Sequence, residues 1–214
     1  RPTGAGAPGS GRDDRGAVGG SPSVEFVDVE GRVLDLGPGD LVTRALQLVG
    51  SSASVRVEKS IAAGAGLGGG SADAAAILHW CGWSDLEGAA ALGADVPFCI
   101  AGGRARVRGI GERIEQLEFE DRVFTLLTPP VVCSTPAVYR AWDELGGPMG
   151  DAGNDLEPAA LAVAPELATW RDQLAEFTGQ RPRLAGSGST WFVEGAFPGP
   201  GLVVARTTPA RRPR

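Results

Sequence analysis

The stretch GAGLGGGSADAAA, at residues 64–76, combines five glycines, a serine and an aspartate with a run of helix-favouring alanines. Glycine accepts positive φ and has no Cβ, so the backbone N–H groups of such a loop can close around an anion. A helix that begins at the end of the loop directs its positive end and its unpaired N–H groups to the same place. The stretch therefore predicts a phosphate-binding loop at a helix start, with a simple turn as the alternative.

The composition of the whole chain argues against several classes of function. The 214 residues carry a net charge of −6 and no basic stripe, which disfavours a nucleic-acid partner. No apolar run approaches the ~18 residues of a membrane span, and no signal peptide is visible. The three cysteines form no C-x-x-C pair and no metal-ligand pattern, which is typical of thiols in a reducing compartment. We therefore expect a globular cytoplasmic protein.

Histidine and lysine each occur once. His79 is the only histidine, which disfavours both a Ser-His-Asp hydrolase and a histidine-rich metal site. Lys59 is the only lysine among 20 basic residues, so any mechanism that requires a lysine has to use this one.

The strands mix with helices along the chain, and within most strands apolar residues alternate with polar ones. This pattern predicts an α+β fold with antiparallel sheets rather than a doubly wound parallel sheet. We expect residues 1–22 to be disordered or altered, residues 23–118 and 119–206 to form two lobes, and residues 207–214 to form a loose tail. Predicted strands lie at 24–29, 32–36, 53–59, 104–108, 123–127, 191–193 and 202–205, and predicted helices at 40–49, 71–80, 84–92, from 135, 156–162 and 165–177.

Two familiar phosphate loops fit this stretch poorly. The Walker A loop has a lysine before its Ser or Thr, whereas Gly70 precedes Ser71 here. The dinucleotide pattern G-x-G-x-x-G does match at residues 64–69, but glycine density alone nearly guarantees such a match. The strand before it, at residues 53–59, alternates where a central parallel strand would be continuously apolar. An NAD-binding module therefore stays as an alternative only.

The loop and the residues before it resemble the ATP loop of the GHMP kinases, the family of galactokinase, homoserine kinase and mevalonate kinase. The sequence KSIAAGAGLGGGSADAA, at residues 59–75, is most similar to the branch that phosphorylates 4-diphosphocytidyl-2-C-methyl-D-erythritol. Later segments agree with that branch in the family's order, and the resemblance covers roughly residues 23–206. These segments are LGADVPF at 92–98, GIGE at 109–112, STPAVY at 134–139, NDLE at 154–157 and AGSGST at 185–190.

The resemblance implies a two-lobed fold, with an N-terminal lobe like domain 2 of ribosomal protein S5 and a ferredoxin-like C-terminal lobe. It also implies ATP and Mg²⁺ as cofactors and a place in non-mevalonate isoprenoid biosynthesis, where the 2-hydroxyl of the substrate attacks the γ-phosphorus. Loop N–H groups would hold the triphosphate, and Ser71 would reach a phosphate or the Mg²⁺. The loop residues are Gly64, Ala65, Gly66, Leu67, Gly68, Gly69, Gly70 and Ser71.

The same resemblance assigns Asp95 as the catalytic residue, which orients the attacking hydroxyl and accepts its proton. Tyr139 would stack on the cytosine of the substrate, and Thr135 would make a polar contact in the same pocket. A second glycine-rich loop, at residues 186–190, would close over the substrate diphosphate and the ATP site, with Gly186, Ser187 and Gly188 as its substrate-binding residues. The alternatives are an aspartate that caps a turn, a tyrosine that faces the core, and a simple turn between strands.

Two N-terminal motifs of this branch are missing. Its A-K-[IVL]-N-L strand, whose lysine polarises the reacting groups, and its D-G-Y-H segment, whose Tyr and His hold the cytosine, have no counterpart here. The nearest trace is GRDDRG at residues 11–16, and Lys59 does not align with the missing lysine. We therefore expect a weak or inactive enzyme, either an incomplete copy of a kinase or a nucleotide-binding relative that has lost catalysis.

The expected partners are ATP and the cytidine diphosphate derivative of methylerythritol, with no nucleic acid and no membrane. A GHMP kinase for another small alcohol is the remaining alternative. We expect a monomer or a homodimer.

Overall fold

The computed structural model describes residues 21–37, 39–151 and 153–210, so most of the predicted disordered or altered segment at residues 1–22 lies outside the described residues. The described elements, in chain order, are β1 (Ser23–Asp28), β2 (Val33–Leu34), α1 (Leu41–Leu48), β3 (Ser54–Lys59), α2 (Gly69–Trp80), α3 (Leu86–Ala90), α4 (Val96–Ala101), β4 (Ala105–Arg108), β5 (Arg113–Gln116), β6 (Val123–Leu127), α5 (Thr135–Glu144), α6 (Glu157–Val163), α7 (Leu167–Thr178), β7 (Arg183–Leu184), β8 (Trp191–Glu194) and β9 (Leu202–Arg206). The fold is α+β, as the sequence predicts.

The first sheet has the strand order β2-β1-β3. Strands β1 and β2 form the predicted antiparallel hairpin, with Phe26 opposite Leu34. Strands β1 and β3 pair in parallel, with Phe26 opposite Val57, which differs from the expectation of antiparallel sheets. The reason is that α1 lies between β2 and β3 and carries the chain back to the end of the sheet where β1 begins.

Helix α1 packs on this sheet together with Ile77 of α2, and α2 in turn packs on α1 and α4. The side chain of Asp40 caps α1 as predicted, since its Oδ1 accepts a hydrogen bond from the Thr43 N–H at 2.8 Å. Helices α1, α2 and α4 share an apolar cluster that contains Ala45, Leu78 and Val96, each fully buried. The small side chains of α2 let its neighbours approach closely, and this packing fixes the direction in which the N-terminus of α2 points.

The predicted helix at residues 84–92 is shorter than expected. Asp85 caps it, through hydrogen bonds from the Glu87 and Gly88 N–H groups at 3.0 and 3.1 Å. Helix α4 and strand β5 are absent from the sequence prediction, because each is too short to produce a clear periodicity.

The second half of the chain forms a four-stranded antiparallel sheet with the order β7-β8-β6-β9. This order is that of a ferredoxin-like sheet, although the link between β8 and β9, at residues 195–201, contains no helix. Helices α5, α6 and α7 pack on the sheet around the buried Trp191, Leu167 and Val138. The predicted lobe boundary, between residues 118 and 119, falls between β5 and β6.

The predicted loose tail at residues 207–214 is wrong for residues 207–210, which contact the rest of the chain. The Thr207 hydroxyl accepts a hydrogen bond from the Arg122 N–H at 2.9 Å and donates one to the Glu120 carbonyl at 2.7 Å. Ala210 then forms a β-bridge with Gly102, at the end of α4. Residues 211–214 lie outside the described residues. In the described part of the chain, no helix is both long and apolar enough to cross a membrane.

Candidate active site

The glycine-rich loop ends at the start of α2, where three backbone N–H groups have no acceptor within the helix. Gly68 occupies the N-cap position in the left-handed conformation, with φ 66°, and no side chain caps the helix. The next three residues, Gly69, Gly70 and Ser71, line a cavity of about 330 Å³ together with the rest of the loop. The free donors and the positive end of α2 therefore face a space that can hold an anion.

A second glycine-rich loop presses against the first. A Cβ on Gly66, whose φ is +73°, would lie 2.4 Å from the Ala185 carbonyl oxygen and 2.5 Å from that of Gly188. The Thr190 N–H donates a hydrogen bond to the Ala65 carbonyl at 3.1 Å. The cavity therefore lies where the N-terminal and C-terminal halves of the chain meet, and only glycine fits at position 66.

Asp95 lines the same cavity and lies beside the loop. It occupies the N-cap position of α4, but its side chain accepts no capping hydrogen bond. Its Oδ2 lies 3.8 Å from the Cβ position of Gly68, and the residue is exposed and lines the cavity. The alternative of a turn-capping aspartate is therefore wrong, because the carboxylate is directed to the cavity instead.

The turn after β4 supports the backbone beside Asp95, a role that the sequence did not reveal. A Cβ on Gly111, whose φ is +116°, would lie 2.0 Å from the Ala94 carbonyl oxygen. The Glu112 carboxylate folds back and accepts a hydrogen bond from the Ile110 N–H at 2.8 Å. Backbone hydrogen bonds, chiefly its own and that from Ile110, lower the pKa of Glu112, so the carboxylate holds this turn in its charged form.

The opposite wall of the cavity comes from α5 and the second glycine-rich loop. The hydroxyls of Thr135 and Ser187 are 2.8 Å apart and hydrogen-bonded, and both residues line the cavity with Gly186. Tyr139 lies one turn after Thr135 on the same face of α5. Its side chain lines the cavity and is 52% exposed, so it does not face the core.

Gly188 differs from the other residues predicted to contact substrate. It does not line the cavity and is buried behind it, where a Cβ would lie 3.3 Å from the Cys133 sulfur. Burial, followed by the charge of Glu166, raises the pKa of the Cys133 thiol, which therefore remains a neutral packing group. Gly188 supports the loop from behind rather than facing the cavity.

The cavity contains few charged groups. Asp95 is the single charged side chain among the described residues that line it, and no Lys or Arg is present in that lining. No group of three or more His, Cys, Asp or Glu residues close enough to hold a metal ion occurs in the described part of the chain. The side-chain oxygens that line the cavity are the Asp95 carboxylate and the hydroxyls of Ser71, Thr135, Tyr139 and Ser187.

Asn154 holds the second glycine-rich loop in place. Its side-chain amide donates hydrogen bonds to the carbonyls of Leu184 and Gly186, at 2.9 and 2.7 Å. Its Oδ1 accepts a hydrogen bond from the Leu156 N–H at 3.0 Å, and Leu156 itself lines the cavity. The NDLE segment was part of the resemblance, but the sequence did not indicate that Asn154 bridges α6 and this loop.

Asn154→Ala is expected to raise the KM for the phosphate acceptor roughly tenfold, because the second loop loses two hydrogen bonds. The KM for ATP should change much less. Steady-state kinetics with each substrate varied in turn measure both values, and the neighbouring Asp155→Ala is the matched control. Equal KM values for Asn154→Ala and wild type would exclude this role.

Glu157 is a buried carboxyl directly after this segment. It is 8% exposed, and its Oε2 has no hydrogen-bond partner. Burial is the main cause that raises the pKa of Glu157; Arg171 and Arg181 oppose the rise, and Asp151 adds to it. The folded chain therefore binds this proton more tightly than the unfolded chain does.

Glu157→Gln is expected to raise the free energy of unfolding at about pH 8 and to change it less at about pH 4. The pKa of Glu157 is higher in the folded chain than in the unfolded chain. Its contribution to the free energy of unfolding therefore falls as the pH rises from the unfolded-state pKa through the folded-state pKa. Urea unfolding at both pH values measures the difference, with the exposed Glu176→Gln as control. An equal effect at both pH values would contradict this assignment.

Known proteins share much of this chain's sequence and fold. The chain is 39% identical over 200 residues to the 4-diphosphocytidyl-2-C-methyl-D-erythritol kinase of Pelotomaculum thermopropionicum, covering 77% of this chain and 70% of that relative. It is 36% identical over 174 residues to the kinase of the same name from Paracoccus denitrificans, covering 72% and 63%. A crystal structure of 4-(cytidine 5'-diphospho)-2C-methyl-D-erythritol kinase matches with a TM-score of 0.59 and 32% identity, over 80% of this chain and 72% of that one. No family model matches the chain.

These matches span only part of the relatives. The aligned part amounts to 70% of the Pelotomaculum protein and 63% of the Paracoccus protein.

Proposed function

The chain belongs to the 4-diphosphocytidyl-2-C-methyl-D-erythritol kinases, and from this premise we propose that it transfers the γ-phosphoryl group of ATP to the 2-hydroxyl of that substrate. One observation carries the proposal. A single cavity brings together the open N-terminus of α2, the uncapped carboxylate of Asp95, and a polar and aromatic wall on α5. Phosphoryl transfer requires these three things in one place: a phosphate cradle, a base and an acceptor site.

The triphosphate would bind to the loop. The N–H groups at the start of α2 would donate to its oxygens, and the helix dipole would stabilise their charge. Mg²⁺ usually binds to nucleotide phosphates and water with one or two protein oxygens, and the Ser71 hydroxyl supplies such a hard oxygen here. Bound Mg²⁺ would neutralise charge that develops on the phosphates.

Asp95 would act on the acceptor hydroxyl. The hydroxyl oxygen forms the new bond to the γ-phosphorus while the bond from that phosphorus to the β,γ-bridging oxygen breaks. Asp95 accepts the hydroxyl proton, and ADP leaves with the electron pair of the broken bond. Because its side chain caps nothing, the carboxylate is available for this hydrogen bond.

The acceptor would lie along α5. The exposed ring of Tyr139 offers a stacking face for the cytosine, and the Thr135 and Ser187 hydroxyls can contact the diphosphate. The Gly186 backbone follows the same wall. This arrangement supports an acceptor with a flat base at one end and a polyol at the other.

An adjoining pocket suits the adenine base. It has a volume of about 190 Å³, lies beside the glycine-rich loop, and shares Leu41, Ala63 and Gly70 with the main cavity. Phe26, Leu36 and Val42 make its wall largely apolar, and the side chains of Asp40, Lys59 and Asp73 complete the lining. A purine that enters this pocket would leave its triphosphate pointing along the loop.

A nucleotide-binding protein without kinase activity is the second candidate. The observation that favours it is the lack of Lys and Arg in the lining of the cavity, among the described residues. Phosphoryl transfer benefits from a cation that neutralises the transferred group. Without one, the site would bind MgATP and turn it over slowly or not at all.

An ADP-release assay with a set of acceptors tests the proposed function. We expect turnover with 4-diphosphocytidyl-2-C-methyl-D-erythritol and none with homoserine or mevalonate. Faster turnover of homoserine or mevalonate would overturn the acceptor assignment. Thermal stabilisation by MgATP without ADP release for any acceptor would favour the second candidate, and stabilisation by NAD⁺ alone would overturn both. The cytoplasmic location and the monomeric or dimeric state stay predictions.

A further inference from the structure

Lys59 and Asp73 form an ion pair at the base of the glycine-rich loop. The Lys59 Nζ lies 2.5 Å from the Asp73 Oδ2. The lysine side chain is only 7% exposed and that of the aspartate 25%, so solvent screens this pair less than it screens a surface pair. Lys59 is the last residue of β3, and Asp73 lies in the second turn of α2. The pair therefore connects the two ends of the loop.

Ordering the backbone of the loop between these ends costs much conformational entropy. Gly64, Gly66 and Gly68 all adopt positive φ, and glycine loses more conformational freedom on ordering than any other residue. The Ala65 N–H donates to the Ala62 carbonyl at 3.3 Å, and the Ala65 carbonyl accepts from Thr190. Fixing the loop at its two ends reduces the number of conformations that the glycines between them can adopt.

The position of the Lys59 ammonium group connects the pair to the phosphate site. A Cβ on Gly69 would lie 3.4 Å from Nζ, so the ammonium group packs against the first residue of α2. The N–H groups of α2 that face the cavity begin at this residue. A shift of Lys59 would move the start of α2 relative to the loop.

We propose that Lys59 and Asp73 are positioning residues, whose ion pair holds the loop and the start of α2 in the geometry that binds the nucleotide phosphates. This inference rests on the proposed function for its ligand, but the rigidity of the loop can be measured without any ligand. The competing explanation is that Lys59 attracts the phosphates directly by its charge. The two explanations predict opposite changes in ATP affinity when the Asp73 carboxylate is removed.

The test compares Lys59→Met, Asp73→Ala and the double variant in the full chain. If the pair positions the loop, each single variant should raise the Kd for ATP by roughly 5- to 20-fold, and the double variant should raise it by about as much as either single one. If Lys59 acts directly by charge, Asp73→Ala should tighten ATP binding, because the compensating carboxylate is gone. Lys59→Arg should keep the pair and stay within about threefold of wild type.

Arg56→Met is the matched control, because Arg56 lies on β3 with Lys59 and forms an exposed ion pair with Glu25 of β1 at 3.0 Å. It should leave the Kd for ATP unchanged. Hydrogen–deuterium exchange without nucleotide gives the second readout: residues 60–70 should exchange faster in Lys59→Met, Asp73→Ala and the double variant, but not in Arg56→Met.

The outcomes separate this inference from the proposed function. Unchanged exchange at residues 60–70 in Lys59→Met and Asp73→Ala would overturn the positioning role, whatever the nucleotide data show. Wild-type ATP affinity in the double variant would also overturn the positioning role. Weaker ATP binding in the single variants would then result only from the charge that each leaves unpaired. A wild-type chain that binds no ATP would contradict the proposed function, while faster exchange in the variants would still support the pair as the clamp of the loop.

Discussion

Asp95→Asn is expected to lower the turnover of the cytidylylated substrate by at least ~10²-fold, because the amide cannot accept the hydroxyl proton. The Kd for ATP should stay within about threefold of wild type, since the loop N–H groups and not Asp95 hold most of the triphosphate. The side chain caps no helix, so its loss should cost little stability. Single-turnover kinetics and a nucleotide-binding titration measure the two effects separately.

Asp85→Asn is the matched control for this substitution. Asp85 caps α3 outside the cavity, and an asparagine oxygen can accept the same two hydrogen bonds. Turnover of this variant should equal that of wild type. Unchanged turnover in Asp95→Asn would remove Asp95 from the mechanism.

Gly66→Ala is expected to lower the free energy of unfolding by about 3–5 kcal/mol and to abolish measurable ATP binding. The added Cβ would lie within 2.5 Å of the carbonyl oxygens of both Ala185 and Gly188, and neither is a flexible side-chain end. The positive φ of Gly66 adds a backbone penalty of about 1–2 kcal/mol. Urea unfolding and isothermal titration with ATP measure the two losses.

Gly50→Ala separates the backbone penalty from the collision. Gly50 has a φ of +64°, similar to that of Gly66, but a Cβ there would meet nothing within 4 Å. This control should lose only about 1–2 kcal/mol and bind ATP normally. Equal losses in both variants would contradict the close contact between the two glycine-rich loops.

The glycine-rich loop and most helices could be predicted from the sequence because their signals are local. The glycines before an alanine run indicate a loop that leads into a helix, and Asp40 marks the start of α1. The parallel pairing of β1 with β3 was not predictable in this way, because it depends on where α1 returns the chain. Local residue patterns do not specify such crossovers.

The site residues show the same difference between local signals and contacts with distant parts of the chain. Asp95 and Tyr139 are predicted through the resemblance alone, since a lone Asp in a turn and a lone Tyr on a helix do not by themselves indicate a site. Asn154 was missed because its hydrogen-bond partners lie 30 and 32 residues away. For Lys59, a signal was available: it follows Val55 and Val57 on the inward-facing side of β3, where a solvated lysine does not belong.

The most direct test of the central claim, that the cavity between the two glycine-rich loops is a kinase active site, is ³¹P NMR of the full chain mixed with MgATP and 4-diphosphocytidyl-2-C-methyl-D-erythritol. We expect a new phosphomonoester resonance that grows in equal amount with ADP. ATP that binds but keeps its γ-phosphate, with no phosphomonoester formed, would contradict it.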